Sequence, residues 1–310
     1  MIYQIEEALA SVDQLLESTV RTDVRLLQDS SQHILGAGGK RLRPRVVFLS
    51  FLAAGGEDLS TVIPLAAAVE LVHTATLVHD DINDHSPTRR GRVAVHARWG
   101  RTFALLTGDF LFTKVYELMA PYSPDYNIIM ADACVKLVEG ETLQAATAKA
   151  GEINQATYKQ IVTLKTASLF KAGAIMGANM AQGSKTVVNA LGDFGKYLGV
   201  AFQIVDDVLD VIGDPETLGK PVGNDLNQGS GALIAQNGKE RSDGKGPIDG
   251  ETDPIMAMMA SLKESGAVEI ALDEARKMSS QALASLEGIP PSKAKEQLAS
   301  LVDQVLERQN

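Results

Sequence analysis

One pattern limits this chain more than any other. Asp-Asp-x-x-Asp occurs twice, as Asp80-Asp81-Ile82-Asn83-Asp84 and as Asp206-Asp207-Val208-Leu209-Asp210. Residues three and four apart share a helix face, so each motif presents three carboxylates on one side of its helix. In the second copy the polar stripe reaches back to Gln203, while Ile204, Val205, Val208, Leu209, Val211 and Ile212 are apolar. A polar stripe on an apolar helix can be its ordinary solvent face. Two acidic copies resist that reading, because like charges at this spacing destabilise an isolated helix by about a few tenths of a kcal/mol. Six carboxylates facing a shared space repel one another unless hard cations lie between them. Mg²⁺ suits this best, since it takes oxygen ligands, keeps several waters and is usually shared with substrate phosphates. The pattern predicts two acidic helices gripping a diphosphate through Mg²⁺.

The rest of the chain supplies helices to carry these motifs. Aromatic residues are only 5% of the sequence, and alanine and leucine dominate its apolar set, as in helix-on-helix packing. Apolar residues at helical spacing predict one or two helices over 1–35, then helices near 45–54, 59–83, 100–118, 126–149, 154–183, 186–212, 254–286 and 292–309. No alternating strand pattern stands out and no 20–50-residue repeat occurs. The expectation is a single all-α domain over residues 1–310. Residues 237–253, rich in Gly, Asp, Lys and Ser, read as a surface loop.

A net charge of -10 argues against a nucleic-acid partner. Cys134 stands alone, which excludes an internal disulfide and suggests a reducing compartment. The N-terminal residues lack a basic segment followed by an apolar one, and no run approaches the ~18 uninterrupted apolar residues of a membrane span. A cytoplasmic protein without a membrane span is expected.

Cations complement the acidic motifs. Gly36-Ala37-Gly38-Gly39-Lys40-Arg41-Leu42-Arg43-Pro44 gathers three of them within four positions of a glycine-rich loop, suited to anions. His73 lies seven residues before Asp80, two turns up on the same face. Arg89 and Arg90 follow the first motif, and as neighbours they point apart, so each can serve a different anion. Lys165-Thr166 sits in a mostly apolar segment, where a lysine must snorkel or find an anion. Lys220 lies in a Gly- and Pro-punctuated loop after the second motif. Glu141 and Gln144, three apart, are spaced to share a face, and no role follows for them from sequence.

With these motifs in order, the chain resembles the trans-type isoprenyl (polyprenyl) diphosphate synthases over essentially its whole length. The resemblance rests on Gly39-Lys40-Arg41-Leu42-Arg43-Pro44, the first aspartate motif with its Arg89-Arg90-Gly91, Lys165-Thr166, Gln203 with the second aspartate motif, and Gly219-Lys220-Pro221. It implies a bundle of antiparallel helices around a deep central cavity, usually in a homodimer. It implies that Asp80, Asp81, Asp84, Asp206, Asp207 and Asp210 hold Mg²⁺. An allylic diphosphate would meet Arg89, Lys165, Thr166, Gln203 and Lys220, and isopentenyl diphosphate would meet Lys40, Arg43, His73 and Arg90. Asp80, Asp81, Asp84, Lys165, Asp206 and Asp207 would carry the catalysis by stabilising charge on the departing diphosphate. No side-chain base is nominated, since the family picture gives the final proton to that diphosphate. One departure stands out: Asp225-Leu226-Asn227-Gln228-Gly229-Ser230 places serine where family members often have lysine.

Product length is read from the helix before Asp80. Ala75 and Thr76, five and four positions upstream, are small, and Val72, Leu71, Val69 and Ala68 offer no aromatic plug. Each helical turn adds ~5.4 Å, roughly one isoprene unit, so the expectation is an apolar tunnel and a product of about six to ten units. A short-chain synthase making a farnesyl or geranylgeranyl product is the alternative, followed by a non-catalytic partner subunit, which intact aspartate motifs argue against. A class I terpene cyclase shares the fold and first motif, but usually carries an Asn/Ser/Glu motif in place of Asp206-Asp207. An HD-type phosphohydrolase built on His79-Asp80 leaves the acidic repeat unexplained.

Overall fold

Helical spacing of apolar residues translates directly into buried helix faces. In the computed structural model, which describes residues 2–150, 154–212 and 266–307, helix α1 (Ile2–Thr19) buries Ile5, Leu9, Val12 and Leu16 along one stripe. Helices α2 (Arg25–Leu35) and α3 (Leu42–Ala53) follow. A 3₁₀ turn, Leu59–Val62, is capped by the Asp58 side chain and leads into α4 (Ile63–Asn83), which has Pro64 in its first turn. Helix α4 is apolar nearly all round and correspondingly buried: Leu65, Ala66, Ala67, Ala68, Val69, Leu71, Val72, Ala75 and Val78 are fully inaccessible. Next come α5 (Val95–Trp99), α6 (Arg101–Met119), α7 (Pro124–Ala150), α8 (Gln155–Val162), α9 (Ser168–Met180), α10 (Lys185–Ile212), α11 (Ala267–Ser285) and α12 (Lys293–Leu306). Apart from one small hairpin, the described residues are all-α.

The chain divides into two compact units. One comprises residues 1–134, 169–195 and 288–298; the other comprises 135–168, 196–287 and 299–310. In the first, α4 runs against α6 and also packs on α1 and α3. Ser30 on α2 and Thr107 on α6 share a buried hydroxyl–hydroxyl hydrogen bond of 2.8 Å. In the second, Lys159 of α8 reaches the buried Glu274 of α11 at 2.8 Å. Two helical stretches, Leu59–Asn83 and Gln155–Met180, are long and apolar enough to cross a membrane, but 72% of an 18-residue apolar window in each is buried within the protein. Their apolarity is core packing.

Two local features were not expected. Thr88–Arg89 and Arg92–Val93 pair as antiparallel strands β1 and β2, in register Thr88↔Val93 and Arg89↔Arg92. Between them Arg90 and Gly91 both have positive φ, 50° and 72°, the requirement of a type I′ hairpin turn. Four strand residues are too few to produce a visible alternation, so only the Arg-Arg-Gly turn could have signalled it. The predicted helix over 154–183 is interrupted at Thr163–Ala167 by one π-helical turn. Lys220, Ser230 and the loop 237–253 lie outside the described residues, as does the start of the helix expected near 254.

Candidate active site

The first acidic motif is placed by the end of α4. Asp84 caps the helix, its N–H donating to the Asp80 carbonyl at 2.8 Å, so Asp80, Asp81 and Asp84 occupy the last turn and its cap. That is the negative end of the helix dipole, and no basic residue lies in the last turn to offset it. Compensation comes from the hairpin. Arg89 puts Nε at 2.7 Å and Nη2 at 2.5 Å from the same oxygen, Oδ1 of Asp81. Asp81 is only 1% exposed, and its Oδ2 is buried and accepts no hydrogen bond among the described residues. Burial pushes the Asp81 carboxyl above its ordinary pKa, against the opposing pull of Arg89. Asp80 and Asp84 are half-buried.

The type I′ turn sends the two arginines apart. Arg89 turns to Asp81, while Arg90 donates from Nη1 to the Gly38 carbonyl. Gly39 makes that approach possible: a Cβ there would lie 2.8 Å from Arg90 Nη1, and its φ is +155°. The hairpin and the glycine-rich loop are thereby joined, bringing Arg90 to the segment that carries Lys40. Lys40 is exposed, and Arg43 lays its guanidinium 4.7 Å over the Phe170 ring. His73 is held well below its ordinary pKa by burial first, and then by Arg43, Arg90, Arg89 and Arg41. An uncharged imidazole in the field of arginines, Arg43 and Arg90 acting most strongly, is an arrangement that favours an anion.

Arg41, the middle cation of the loop, behaves differently. Its backbone is left-handed (φ 47°, ψ 40°), costing of order 1–3 kcal/mol for a non-glycine residue. Its side chain is turned away into ion pairs with Glu70 of α4 at 2.7 Å and Asp13 of α1 at 2.8 Å.

In the second unit, four side chains form a chain of hydrogen bonds around the second motif. Thr166 Oγ1 donates to Gln203 Oε1 at 2.8 Å, and Gln203 Nε2 donates to Asp207 Oδ1 at 2.8 Å. Tyr158, 3% exposed, donates its hydroxyl to Asp207 Oδ2. Asp207 therefore has a donor on each oxygen. Asp206 is half-buried, whereas Asp207 and Asp210 are buried. Lys165 rides on the π-helical turn, a device common at functional sites because it re-aims side chains. It pairs with Glu141 and lies 3.3 Å from Gln144 Oε1. Gly140 allows the approach, since a Cβ on it would meet the Lys165 backbone nitrogen at 2.6 Å.

The sequence-predicted residues thus fall into two local groups, Lys40, Arg43, His73, Arg89 and Arg90 with the first motif, and Lys165, Thr166 and Gln203 with the second. Ala75 and Thr76 are buried at 0% and 8% exposure on α4. His79 is committed elsewhere: its ring stacks on Phe112, and Nε2 lies 3.3 Å from the Leu105 carbonyl and 3.5 Å from Asp109. Sequence reasoning missed Tyr158, Glu70 and the inward role of Arg41. It left Glu141 and Gln144 unassigned, although their spacing put them on the face that meets Lys165.

Carboxylate oxygens of this kind suit a hard divalent cation. Among the described residues no three of His, Cys, Asp or Glu are arranged to hold a metal ion by themselves. Mg²⁺ asks for less, one or two carboxylates completed by water and substrate phosphate. Asp80 and Asp84 in the first motif and Asp206 in the second are half-buried carboxylates, each motif by itself offering oxygen ligands of that kind.

Residues 24–246 match the family model described as polyprenyl synthetase. The chain is 34% identical to the short chain isoprenyl diphosphate synthase of Methanothermobacter thermautotrophicus over 99% of both chains. It is also 34% identical to the octaprenyl diphosphate synthase of Haemophilus influenzae, over 94% of this chain and 92% of that one. Among solved structures, it superimposes on a polyprenyl synthase from Caulobacter crescentus CB15, complexed with calcium and isoprenyl diphosphate. The TM-score is 0.92 at 35% identity, covering 100% of this chain and 98% of that one.

Proposed function

The chain belongs to the polyprenyl synthetase family, with the all-α isoprenoid synthase fold and prenyltransferase activity, and from that premise we propose the substrates, metal and product of this enzyme. It condenses isopentenyl diphosphate onto an allylic diphosphate by ionisation, condensation and elimination, giving an all-trans polyprenyl diphosphate. The observation that carries this reading is the last turn of α4: acidic residues at the negative end of a helix, answered by Arg89 at one oxygen of Asp81 while the other, buried, accepts no hydrogen bond among the described residues.

Asp80, Asp81, Asp84, Asp206, Asp207 and Asp210 are the candidate holders of Mg²⁺. Bound there, Mg²⁺ would neutralise charge growing on the diphosphate as the allylic C–O bond breaks. Arg89, Lys165, Thr166, Gln203 and Lys220 would bind the allylic diphosphate. Arg89 and Lys165 pair with Asp81 and Glu141, which sets their guanidinium and ammonium groups beside the two acidic motifs. Lys40, Arg43, His73 and Arg90 would hold isopentenyl diphosphate so that its double bond meets the allylic carbon. The six carboxylates and these cations are read as parts of one synthase domain spanning residues 1–310.

Product length beyond four units, about six to ten, remains the reading of small Ala75 and Thr76 on α4. A homodimer is supported by apolar residues left in solvent: Phe103 and Leu106 on α6 at 43% and 50% exposure, and Ile128 on α7 at 64%. A cytoplasmic enzyme is the reading that accompanies two long apolar helices mostly buried in the core.

The test is diphosphate release from purified protein. Release that requires Mg²⁺ and both substrates supports the synthase. Release from the allylic substrate alone contradicts it in favour of a cyclase or hydrolase, and no release contradicts it in favour of a non-catalytic subunit.

A further inference from the structure

Arg41 is a cation of the glycine-rich loop whose guanidinium is committed to two carboxylates. Its side chain is 9% exposed, with Nη1 on Glu70, Nε on Asp13 and Nη2 3.5 Å from the Leu35 carbonyl. These partners sit on α4, α1 and α2. Glu70, 2% exposed, is a buried carboxylate that the proposed chemistry does not use, one turn before His73 on α4. The Arg41 backbone is left-handed, and its carbonyl starts α3 by accepting from Arg45 N–H at 3.0 Å. A non-glycine residue keeps such a conformation only where its surroundings over-determine it. The three-way grip on the guanidinium does so here. The turn it fixes lies between Lys40 and Arg43, and both Glu70 and Arg41 are within electrostatic reach of Arg90.

We propose that Arg41, clamped by Glu70, is a positioning residue: without touching substrate, it fixes the left-handed turn that aims Lys40 and Arg43 at the diphosphate of isopentenyl diphosphate. This rests on the assignment of that substrate to Lys40, Arg43, His73 and Arg90. Simple electrostatics makes the opposite forecast for Glu70, because removing a carboxylate near a cation-lined anion site should tighten anion binding. A clamp that is lost should weaken it.

The experiment measures KM for isopentenyl diphosphate, KM for a farnesyl primer, kcat and Tm for Glu70→Gln, Arg41→Met and the double variant Arg41→Met/Glu70→Met. The expected result is a rise in KM for isopentenyl diphosphate of about ten- to hundredfold in all three, with KM for the primer within about twofold. Replacing a buried ion pair by apolar residues of similar volume is often neutral or stabilising, so the double variant is expected to keep its Tm while its KM stays raised. An unchanged or lowered KM in Glu70→Gln, or a normal KM in the double variant, overturns the proposal. If either fold is lost in a single variant, the double variant decides alone. Lys40→Ala and Arg43→Ala serve as the control on the underlying assignment: if neither raises that KM, the substrate assignment itself falls, whatever Arg41 does.

Discussion

Tyr158 and Asp207 meet through a buried hydrogen bond, the phenol of α8 donating to Oδ2 of the carboxylate on α10. Because Gln203 donates to the other oxygen and itself accepts from Thr166, the bond anchors a chain that ends one residue from Lys165. Removing the phenol hydroxyl leaves a buried carboxylate short of one donor. Tyr158→Phe is expected to lower kcat/KM for the allylic substrate by about ten- to hundredfold, matching the 1.5–3 kcal/mol of a hydrogen bond to a charged group. KM for isopentenyl diphosphate should stay near the parent value. An equal effect on both substrates would show general loosening instead.

Lys165 pairs with Glu141 and donates to Gln144. Its charge matters most when the leaving diphosphate gains charge, so the loss should fall on kcat. Lys165→Ala is expected to reduce kcat by about 10²–10³-fold, the usual loss for a preorganised oxyanion-stabilising group. Single-turnover rates with a saturating primer measure this directly. A change confined to KM would contradict a transition-state role.

His73 is kept neutral by burial and by Arg43, Arg90, Arg89 and Arg41. A histidine whose folded pKa lies below its unfolded value of about 6.5 contributes stability that is complete above that pH. That stability is lost as pH falls from there through the folded pKa. The His73 ring resonances of the free enzyme should therefore show no titration centred near pH 6.5. A midpoint there would mean the imidazole is solvated and far from the arginines.

Phe103, Leu106 and Ile128 are exposed apolar side chains on α6 and α7. If a second copy covers them, Leu106→Glu places a charge in an apolar interface and should shift the protein from dimer to monomer in sedimentation experiments. A parent protein that already sediments as a monomer would contradict the dimer.

Much of the helical order was legible because apolar spacing is a local signal: Ile5, Leu9, Val12 and Leu16 read as one face and are buried as one. The acidic motifs were legible for the same reason, since i, i+3 and i+4 fix which carboxylates share a side. What escaped depended on contacts distant in sequence. Nothing in Lys40-Arg41-Leu42-Arg43 distinguishes the arginine that turns inward, because Glu70 and Asp13 decide it. Tyr158 carries no distinguishing mark in the sequence, because its partner Asp207 lies 49 positions away. The π-helical turn has no compositional mark, although Gly140, far upstream, leaves the space that it uses.

The most direct test is the size of the product. Purified protein would be incubated with Mg²⁺, isopentenyl diphosphate and a farnesyl or geranylgeranyl primer, and the extracted chains separated by length. The expected result is a ladder ending at one dominant product of about six to ten units, abolished by EDTA and by Asp80→Ala and shortened by Ala75→Phe. A single product of four units or fewer, or a length distribution unchanged in Ala75→Phe, would contradict the reading of α4 as the wall that sets chain length.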